Sequence, residues 1–311
     1  MATEPNVAIL NTGAVGRHAD CAARRQESIA DYWALTKPEV NLLILIATFG
    51  GFYLAPTPAA AGFQTSRLIC TLVGTLFVAS GTGALNQFLE RSFDAQMRRT
   101  ARRPVAAGRV APLHALWLGI AVSLAGALLL ALTVNVAASL LSIATLLSYL
   151  FIYTPLKRKT PLCTFIGAFP GAVPPLIGWA AVRGRLDWGA WVLYALVFLW
   201  QFPHFMAIAW MYREDYARAG YHVLPAGRRR ERVVNWQSVA VSLPLIAVSL
   251  IAAIAFKFSL GWSVGLVLLG LIFCYYSARF AYGKSNASAR RLLAASIIYL
   301  PLIFFFIMLN K

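Results

Sequence analysis

The sequence is poor in charged residues, acids and cysteines. Only 13% of its 311 residues are charged, whereas a soluble domain carries roughly 25%. The four cysteines, at positions 21, 70, 163 and 274, form no CxxC pair, which argues against a disulfide framework, a zinc site or an iron–sulfur cluster. The net charge of +17 is divided among short loops and is not concentrated on a soluble domain. A nucleic-acid partner is therefore not expected.

Long apolar runs take the place of the missing charges. Hydrophobic residues make up 59% of the chain, and many runs approach the ~20 residues that a helix needs to cross a bilayer. We predict an all-α polytopic membrane bundle of about nine transmembrane helices. The predicted spans are 39–56, 68–90, 112–132, 135–153, 161–181, 189–211, 236–256, 259–282 and 292–309. Prolines and glycines predict a kink in the span 161–181.

The distribution of Lys and Arg predicts the orientation of the bundle. Of the 28 basic residues, 23 fall in segments on one side of the predicted spans. By the positive-inside rule, this side and the N-terminus face the cytoplasm. We expect a cytoplasmic tail over residues 1–37, a membrane domain over residues 38–311, and no cleavable signal peptide. The predicted location is the cell inner membrane.

Two acidic clusters and one basic corner carry the candidate chemistry. In residues 86–104, Asn86, Glu90 and Asp94 are spaced to lie along one helix face, with five arginines in the same stretch. Carboxylate oxygens suit a hard cation such as Mg²⁺, and guanidinium groups suit phosphate. The second cluster, residues 200–225, contains Asp215 and also follows a predicted span. Mg²⁺ bridged by a diphosphate would fit in a pocket between the two clusters. The alternative is that both are solvated loops with ordinary Arg–Asp pairs.

The basic corner lies in residues 153–161, which read YTPLKRKTP. By itself this segment is typical of the end of a membrane span. Together with the acidic clusters on the same side, its cations form a candidate diphosphate clamp. Lys37, in LTKPEVN before the first span, could join the clamp from the same side.

Four long motifs resemble the UbiA superfamily of intramembrane prenyltransferases, and especially its haem-farnesylating members. The motifs are LTKPEV at 35–40, NQFLERSFDAQMRRTARRP at 86–104, the proline-rich stretch at 153–181, and LWQFPHFMAIAWMYREDYARAGYHVLP at 199–225. The resemblance covers about residues 35 to 310. One departure is Ser92, where many bacterial members carry a third acid, so that one fewer metal ligand is available.

The resemblance implies transfer of a farnesyl group from farnesyl diphosphate to a vinyl group of haem B, with Mg²⁺ as cofactor. It implies a metal site formed by Glu90, Asp94 and Asp215, with Asn86 beside them. The diphosphate would be bound by Lys37, Arg99, Arg103, Lys157, Arg158 and Arg213. The haem or the prenyl chain would be lined by Tyr153, Trp200, His204, Tyr212 and His222.

The sequence alone leaves several alternatives open. His204 lies in an apolar stretch, where it could be satisfied by a backbone carbonyl or could contact haem. A quinone-precursor prenyltransferase is the alternative within the superfamily. A cation-coupled transporter is the alternative from another class, but transport sites tend to lie at the bilayer midplane and these charges lie at one face. The bilayer is a further expected partner, and an oligomer or a downstream haem-handling protein is left open.

Overall fold

A computed structural model describes residues 27–56, 64–224, 233–234 and 237–310. Over these residues the regular structure is helical, without strands. Among the described residues, eight helices are long and apolar enough to cross a membrane, and a shorter apolar helix, Pro38–Leu54, joins them. The all-α, multi-pass membrane fold predicted from the sequence is confirmed.

The first half of the chain contains five helices that position the acidic end of the bundle. They are α1 (Ile29–Leu35), α2 (Pro38–Leu54), α3 (Thr65–Asp94), α4 (Pro112–Thr133) and α5 (Val136–Leu147). A π-helical segment, Ser148–Tyr153, and one further turn, Thr154–Leu156, continue α5. Such π-helical segments are rare and occur frequently at functional sites.

The second half begins with a broken membrane span and ends with a helical hairpin. Its helices are α6 (Cys163–Gly171), α7 (Pro174–Arg183), α8 (Trp188–Met211), α9 (Arg213–Arg218), α10 (Ser242–Ala255), α11 (Leu260–Gly283) and α12 (Asn286–Leu309). The kink predicted in the span 161–181 is the break between α6 and α7. Pro174 begins α7, where its missing N–H removes no helical hydrogen bond.

Glycines allow the helices around the site to approach one another closely. A Cβ atom on Gly178 of α7 would lie 1.9 Å from the backbone oxygen of Thr48, and one on Gly51 would lie 2.0 Å from that of Pro175. In both places the backbone of the facing helix occupies the space that a side chain at the glycine position would need. Such close contact between small residues is a common way of packing helices in membranes.

The last residues of the predicted N-terminal tail pack against the bundle. Ser28 caps α1 by accepting a hydrogen bond from the Asp31 backbone N–H, and Leu35 is fully buried. Asp31 pairs with Arg109 at 2.6 Å, and the Glu27 carboxylate lies 2.9 Å from His114. Residues 27–37 therefore bring the start of α2 to the end of α3. The rest of the predicted tail, residues 1–26, lies outside the described residues.

Candidate active site

The two carboxylates of the first acidic cluster are buried at the end of α3. Glu90 and Asp94 lie one turn apart on the same face, and their residues are 4% and 1% exposed. An uncompensated carboxylate is costly in such surroundings, so it needs hydrogen-bond donors or cations. The structure provides both, from four other parts of the chain.

Glu90 is the centre of this cluster. Lys157 Nζ donates to Glu90 Oε1 at 2.9 Å and to Oε2 at 3.1 Å. The Tyr221 hydroxyl donates to Oε1 at 2.8 Å, and Asn86 Nδ2 donates to Oε2 at 2.9 Å. The carboxylate thus joins α3, the turn after the π-helical segment, and the loop after α9.

Lys37 reaches the cluster from the junction between α1 and α2. Its backbone has φ of 54°, in the left-handed region that non-glycine residues seldom adopt. Its Nζ donates to Asn86 Oδ1 at 2.7 Å. Burial, together with the positive charge of Arg103, lowers the pKa of Lys37 to about 7 against the opposing effect of Glu90. A nearby anion would raise that pKa again.

Asp94 is held by a different cation. Arg103 Nη1 donates to both of its carboxylate oxygens, at 2.9 and 2.8 Å. The Thr100 hydroxyl donates to the Asp94 backbone oxygen at 3.0 Å. The loop that follows α3 therefore folds back onto the end of the helix.

The second acidic cluster lies against this same loop. Asp215 accepts a hydrogen bond from the Arg99 backbone N–H at 3.1 Å and another from Arg218 at 3.1 Å. The backbone N–H of His222 donates to the Lys157 oxygen at 2.7 Å, while the His222 side chain is exposed. The two acidic clusters and the basic corner, which are distant in sequence, are therefore adjacent at one end of the bundle.

The ammonium group of Lys157 lies close to the rings of two tyrosines, Tyr153 and Tyr149. Its Nζ is 4.7 Å from the centre of the Tyr153 ring and 5.9 Å from that of Tyr149. Burial by itself lowers the pKa of Lys157, but the Glu90 carboxylate raises it well above its ordinary value. A Cβ atom on Gly167 would lie 2.5 Å from the Tyr153 ring, so the glycine leaves room for the ring beside α6.

Other predicted residues lie outside the Glu90 cluster. The Arg99 guanidinium stacks on the Tyr212 ring at 4.9 Å, and the Arg158 guanidinium stacks on Phe93 at 4.5 Å. Arg213 donates to Asn286 on α12 at 3.0 Å. The six cations predicted to bind diphosphate thus divide into two groups. Lys37, Arg103 and Lys157 contact the acidic cluster, whereas the other three make separate contacts around it.

Trp200 and His204 are joined to α12 and not to the acidic cluster. Trp200 Nε1 donates to the Ser296 backbone oxygen at 2.9 Å, and His204 Nδ1 lies 2.8 Å from the Ser296 hydroxyl. The two rings stack with their centres 4.8 Å apart. These contacts hold α8 against α12 in the interior of the bundle.

Tyr221 is the site residue that the sequence reasoning overlooked. Its hydroxyl contacts Glu90 directly, and its ring lies 5.7 Å from that of Phe93. Burial and the neighbouring carboxylate raise the pKa of the Tyr221 phenol, so it remains a hydrogen-bond donor at neutral pH. Its position next to His222, in the motif at 199–225, was the sequence signal that could have identified it as a site residue.

The donor set fits a Mg²⁺ ion that is shared with a substrate. Within the ranges that the structure describes, no three His, Cys, Asp or Glu side chains are grouped closely enough to hold a metal ion. Asp215 is therefore not grouped with Glu90 and Asp94. Mg²⁺ is usually bound by one or two carboxylates together with substrate phosphates and water, and the buried pair on α3 matches that requirement.

Comparisons with known proteins show the family to which the chain is similar. Residues 44–308 match the model of the UbiA prenyltransferase family. The chain is 45% identical over 288 residues to a protein from Solibacter usitatus named protoheme IX farnesyltransferase, covering 90% of this chain and 98% of that one.

Solved structures share the fold at lower sequence identity. The apo structure of a UbiA homolog from Aeropyrum pernix K1 superposes with a TM-score of 0.69 at 22% identity, covering 88% of this chain and 98% of that chain. A UbiA homolog from Archaeoglobus fulgidus, bound to GPP and Mg²⁺, has a TM-score of 0.61 at 15% identity, covering 89% of this chain and 99% of that chain.

Proposed function

The chain belongs to the UbiA prenyltransferase family, and we propose that it transfers a farnesyl group from farnesyl diphosphate to a vinyl group of haem B, giving haem O. The similarity to a named protoheme IX farnesyltransferase, over almost the full length of both chains, supports this donor and acceptor. We place this reaction at the buried, polar end of the membrane bundle that holds Glu90 and Asp94.

The observation that carries the proposal is the pairing of carboxylates and cations at the end of α3. Glu90 contacts Lys157, and Asp94 contacts Arg103. Lys37 donates to Asn86, which in turn donates to Glu90. Two carboxylates are thus matched by two permanent cations and a third that titrates near pH 7. A divalent metal ion and a diphosphate would add charges of both signs, which this mixed cluster suits.

We assign Glu90 and Asp94 to the metal ion. Asp215, which is not grouped with them, holds the loop that carries Arg99 and Arg103 against the site. A bound Mg²⁺ would neutralise the negative charge of the diphosphate and favour its departure. Lys157, Arg103 and Lys37 are placed to bind the diphosphate oxygens as the bond to the allylic carbon breaks. Because they already lie in a buried site, little reorganisation is needed when that charge develops.

The tyrosine rings beside Lys157 would stabilise the positive charge that develops on the prenyl group. Breaking the allylic C–O bond leaves positive charge on the farnesyl carbon, and the faces of Tyr153 and Tyr149 already lie beside a cation, Lys157 Nζ. Cation–π attraction there favours the developing carbocation. The haem vinyl group then forms the new C–C bond, and water adds to the resulting haem-side cation with loss of a proton.

The membrane orientation follows from the charge distribution. We propose that the end of the bundle with the Glu90 cluster faces the cytoplasm, because most Lys and Arg residues lie in segments at that end. The proposed location is the inner membrane of the cell.

A product assay tests the reaction. Purified protein is incubated with haem B, farnesyl diphosphate and Mg²⁺, and the haem fraction is analysed by mass spectrometry. We expect a haem that has gained one farnesyl group and one hydroxyl group, and no product when EDTA is present. A parallel reaction with 4-hydroxybenzoate as acceptor separates haem from quinone-precursor prenylation. Prenylation of that acceptor without any haem product would refute the proposed function.

A further inference from the structure

A second basic pocket lies between α11 and α12, separate from the Glu90 cluster. It is a cavity of about 230 Å³, and its lining consists of Tyr275, Tyr276, Arg279, Ser288 and Arg291. Arg279 donates to the Tyr275 hydroxyl at 3.1 Å. In the part of the chain that the structure describes, neither arginine forms an ion pair with an acid. The pocket is thus cationic and suited to an anion.

The pocket lies at the same end of the bundle as the proposed active site. Arg213, just after α8, donates to Asn286 at the start of α12. Arg291 lies in the second turn of α12, and Arg279 lies in the last turns of α11. These two antiparallel helices therefore bring their arginines to one level.

An exposed apolar stripe on α11 leads away from the pocket. Leu268, Ile272 and Tyr275 are 53%, 54% and 55% exposed, and Arg279 follows them at helical spacing. Residues spaced three and four apart lie on one face of a helix. The eleven steps along the helix from Leu268 to Arg279 correspond to about 16 Å.

A matching stripe on α12 starts at the other arginine. Ile298, Leu302 and Phe305 follow Arg291 on one face and are 58%, 37% and 51% exposed. The distance from Arg291 to Phe305 along the helix is about 21 Å. Half the thickness of a bilayer hydrocarbon core is about 15 Å. Each stripe is therefore long enough to cover one leaflet, and the two meet at the cationic pocket.

We propose that this pocket binds the phosphate of an anionic glycerophospholipid, whose acyl chains lie along the two stripes. Guanidinium groups bind phosphate oxygens in a bidentate manner, and tyrosines are favoured at the level of the lipid headgroups. Basic pockets between membrane helices recognise anionic headgroups in the same way. The site is independent of the proposed reaction, because none of its five lining residues contacts the Glu90 cluster.

Native mass spectrometry in detergent tests the site. Wild-type protein is mixed with phosphatidylglycerol or with phosphatidylcholine of the same acyl chains. We expect retention of phosphatidylglycerol only, and about 30-fold less retention by the double variant Arg279→Gln/Arg291→Gln, since each arginine near a membrane surface contributes about fivefold. Arg290→Gln is the matched control, because Arg290 is exposed in the same turn of α12 but does not line the pocket.

Thermal unfolding in phosphatidylcholine alone checks that the double variant is folded. If the double variant is not folded, the single variants are used instead, and each is expected to retain about fivefold less phosphatidylglycerol than the wild type. Equal retention of the two lipids, or retention by the arginine variants at the wild-type level, would overturn the proposal. So would displacement of phosphatidylglycerol by inorganic phosphate or by farnesyl diphosphate, because the pocket would then be a site for soluble phosphate or for the prenyl donor.

Discussion

Lys157 Nζ lies 2.9 Å from Glu90 Oε1, although 67 residues separate them in the sequence. Both side chains are largely buried, at 11% and 6% exposed. This contact fixes the basic corner after α5 on the acidic end of α3. It also places a cation where the proposed reaction releases negative charge.

Removing one partner of this pair should harm both stability and turnover. Lys157→Gln leaves the Glu90 charge buried without its cation, a change that typically costs about 3–5 kcal/mol. We expect a lower thermal midpoint and a loss of farnesyl transfer of at least about 100-fold. Lys159→Gln is the control, since Lys159 is exposed in the same loop.

A double variant separates the two effects. Glu90→Gln combined with Lys157→Gln removes both charges and should recover part of the stability but none of the activity. Recovery of activity together with stability would show that the pair is only structural.

Asp94→Asn should abolish turnover while the fold is retained. The substitution keeps the side-chain size and one carbonyl oxygen for Arg103, but it removes the negative charge proposed to bind the metal ion. We expect a loss of at least about 100-fold in the product assay. Asp187→Asn, at an acid that pairs with Arg183, should behave like the wild type. A wild-type rate for Asp94→Asn would remove Asp94 from the metal site.

Tyr221→Phe tests the residue that only the structure assigned to the site. The variant loses one hydrogen bond to a carboxylate, a contribution of about 1.5–3 kcal/mol. We expect kcat/KM to fall at least about tenfold. The thermal midpoint should fall by no more than the loss of this one hydrogen bond explains. Tyr216→Phe is the matched control, because Tyr216 contacts the Tyr221 ring. Equal effects of the two substitutions would argue against a role for the hydroxyl.

The attachment of α1 should depend on pH through Glu27. Hydrogen bonds from Tyr32, the Ala111 backbone and His114 lower the pKa of Glu27 from 4.5 to about 2. Because the folded pKa is the lower one, this contribution is complete above about pH 4.5 and is lost as the pH falls towards 2. Since Glu27 is accessible to solvent, we expect a local effect and not global unfolding.

Hydrogen exchange measures this attachment. Exchange of the α1 amides, Ile29–Leu35, should accelerate as the pH falls through this window, after correction for the intrinsic rate. Glu27→Gln should show the faster exchange already at pH 7, and α8 (Trp188–Met211), which makes no contact with Glu27 among the described hydrogen bonds and ion pairs, should be unaffected in both cases. Slow exchange of α1 in the variant would mean that Leu35 and the Asp31–Arg109 pair hold the helix without Glu27.

The membrane fold and most of the helix limits could be predicted from the order of residues alone. Apolar runs of membrane-spanning length can be recognised locally, because each helix satisfies its own backbone hydrogen bonds in the bilayer. The predicted span 112–132 is the helix Pro112–Thr133, and 189–211 is Trp188–Met211. The spacing of Glu90 and Asp94 on one face was likewise fixed by helix geometry alone.

Which cations reach those carboxylates depends on how the helices and loops pack, and it could not be predicted from the sequence. Lys157 and Arg158 are neighbours in the sequence, yet one contacts Glu90 and the other stacks on Phe93. Tyr221 likewise reaches Glu90 because the loop after α9 is held against the Lys157 backbone. Such contacts depend on how helices pack and on where loops cross, and neither local periodicity nor composition contains that information.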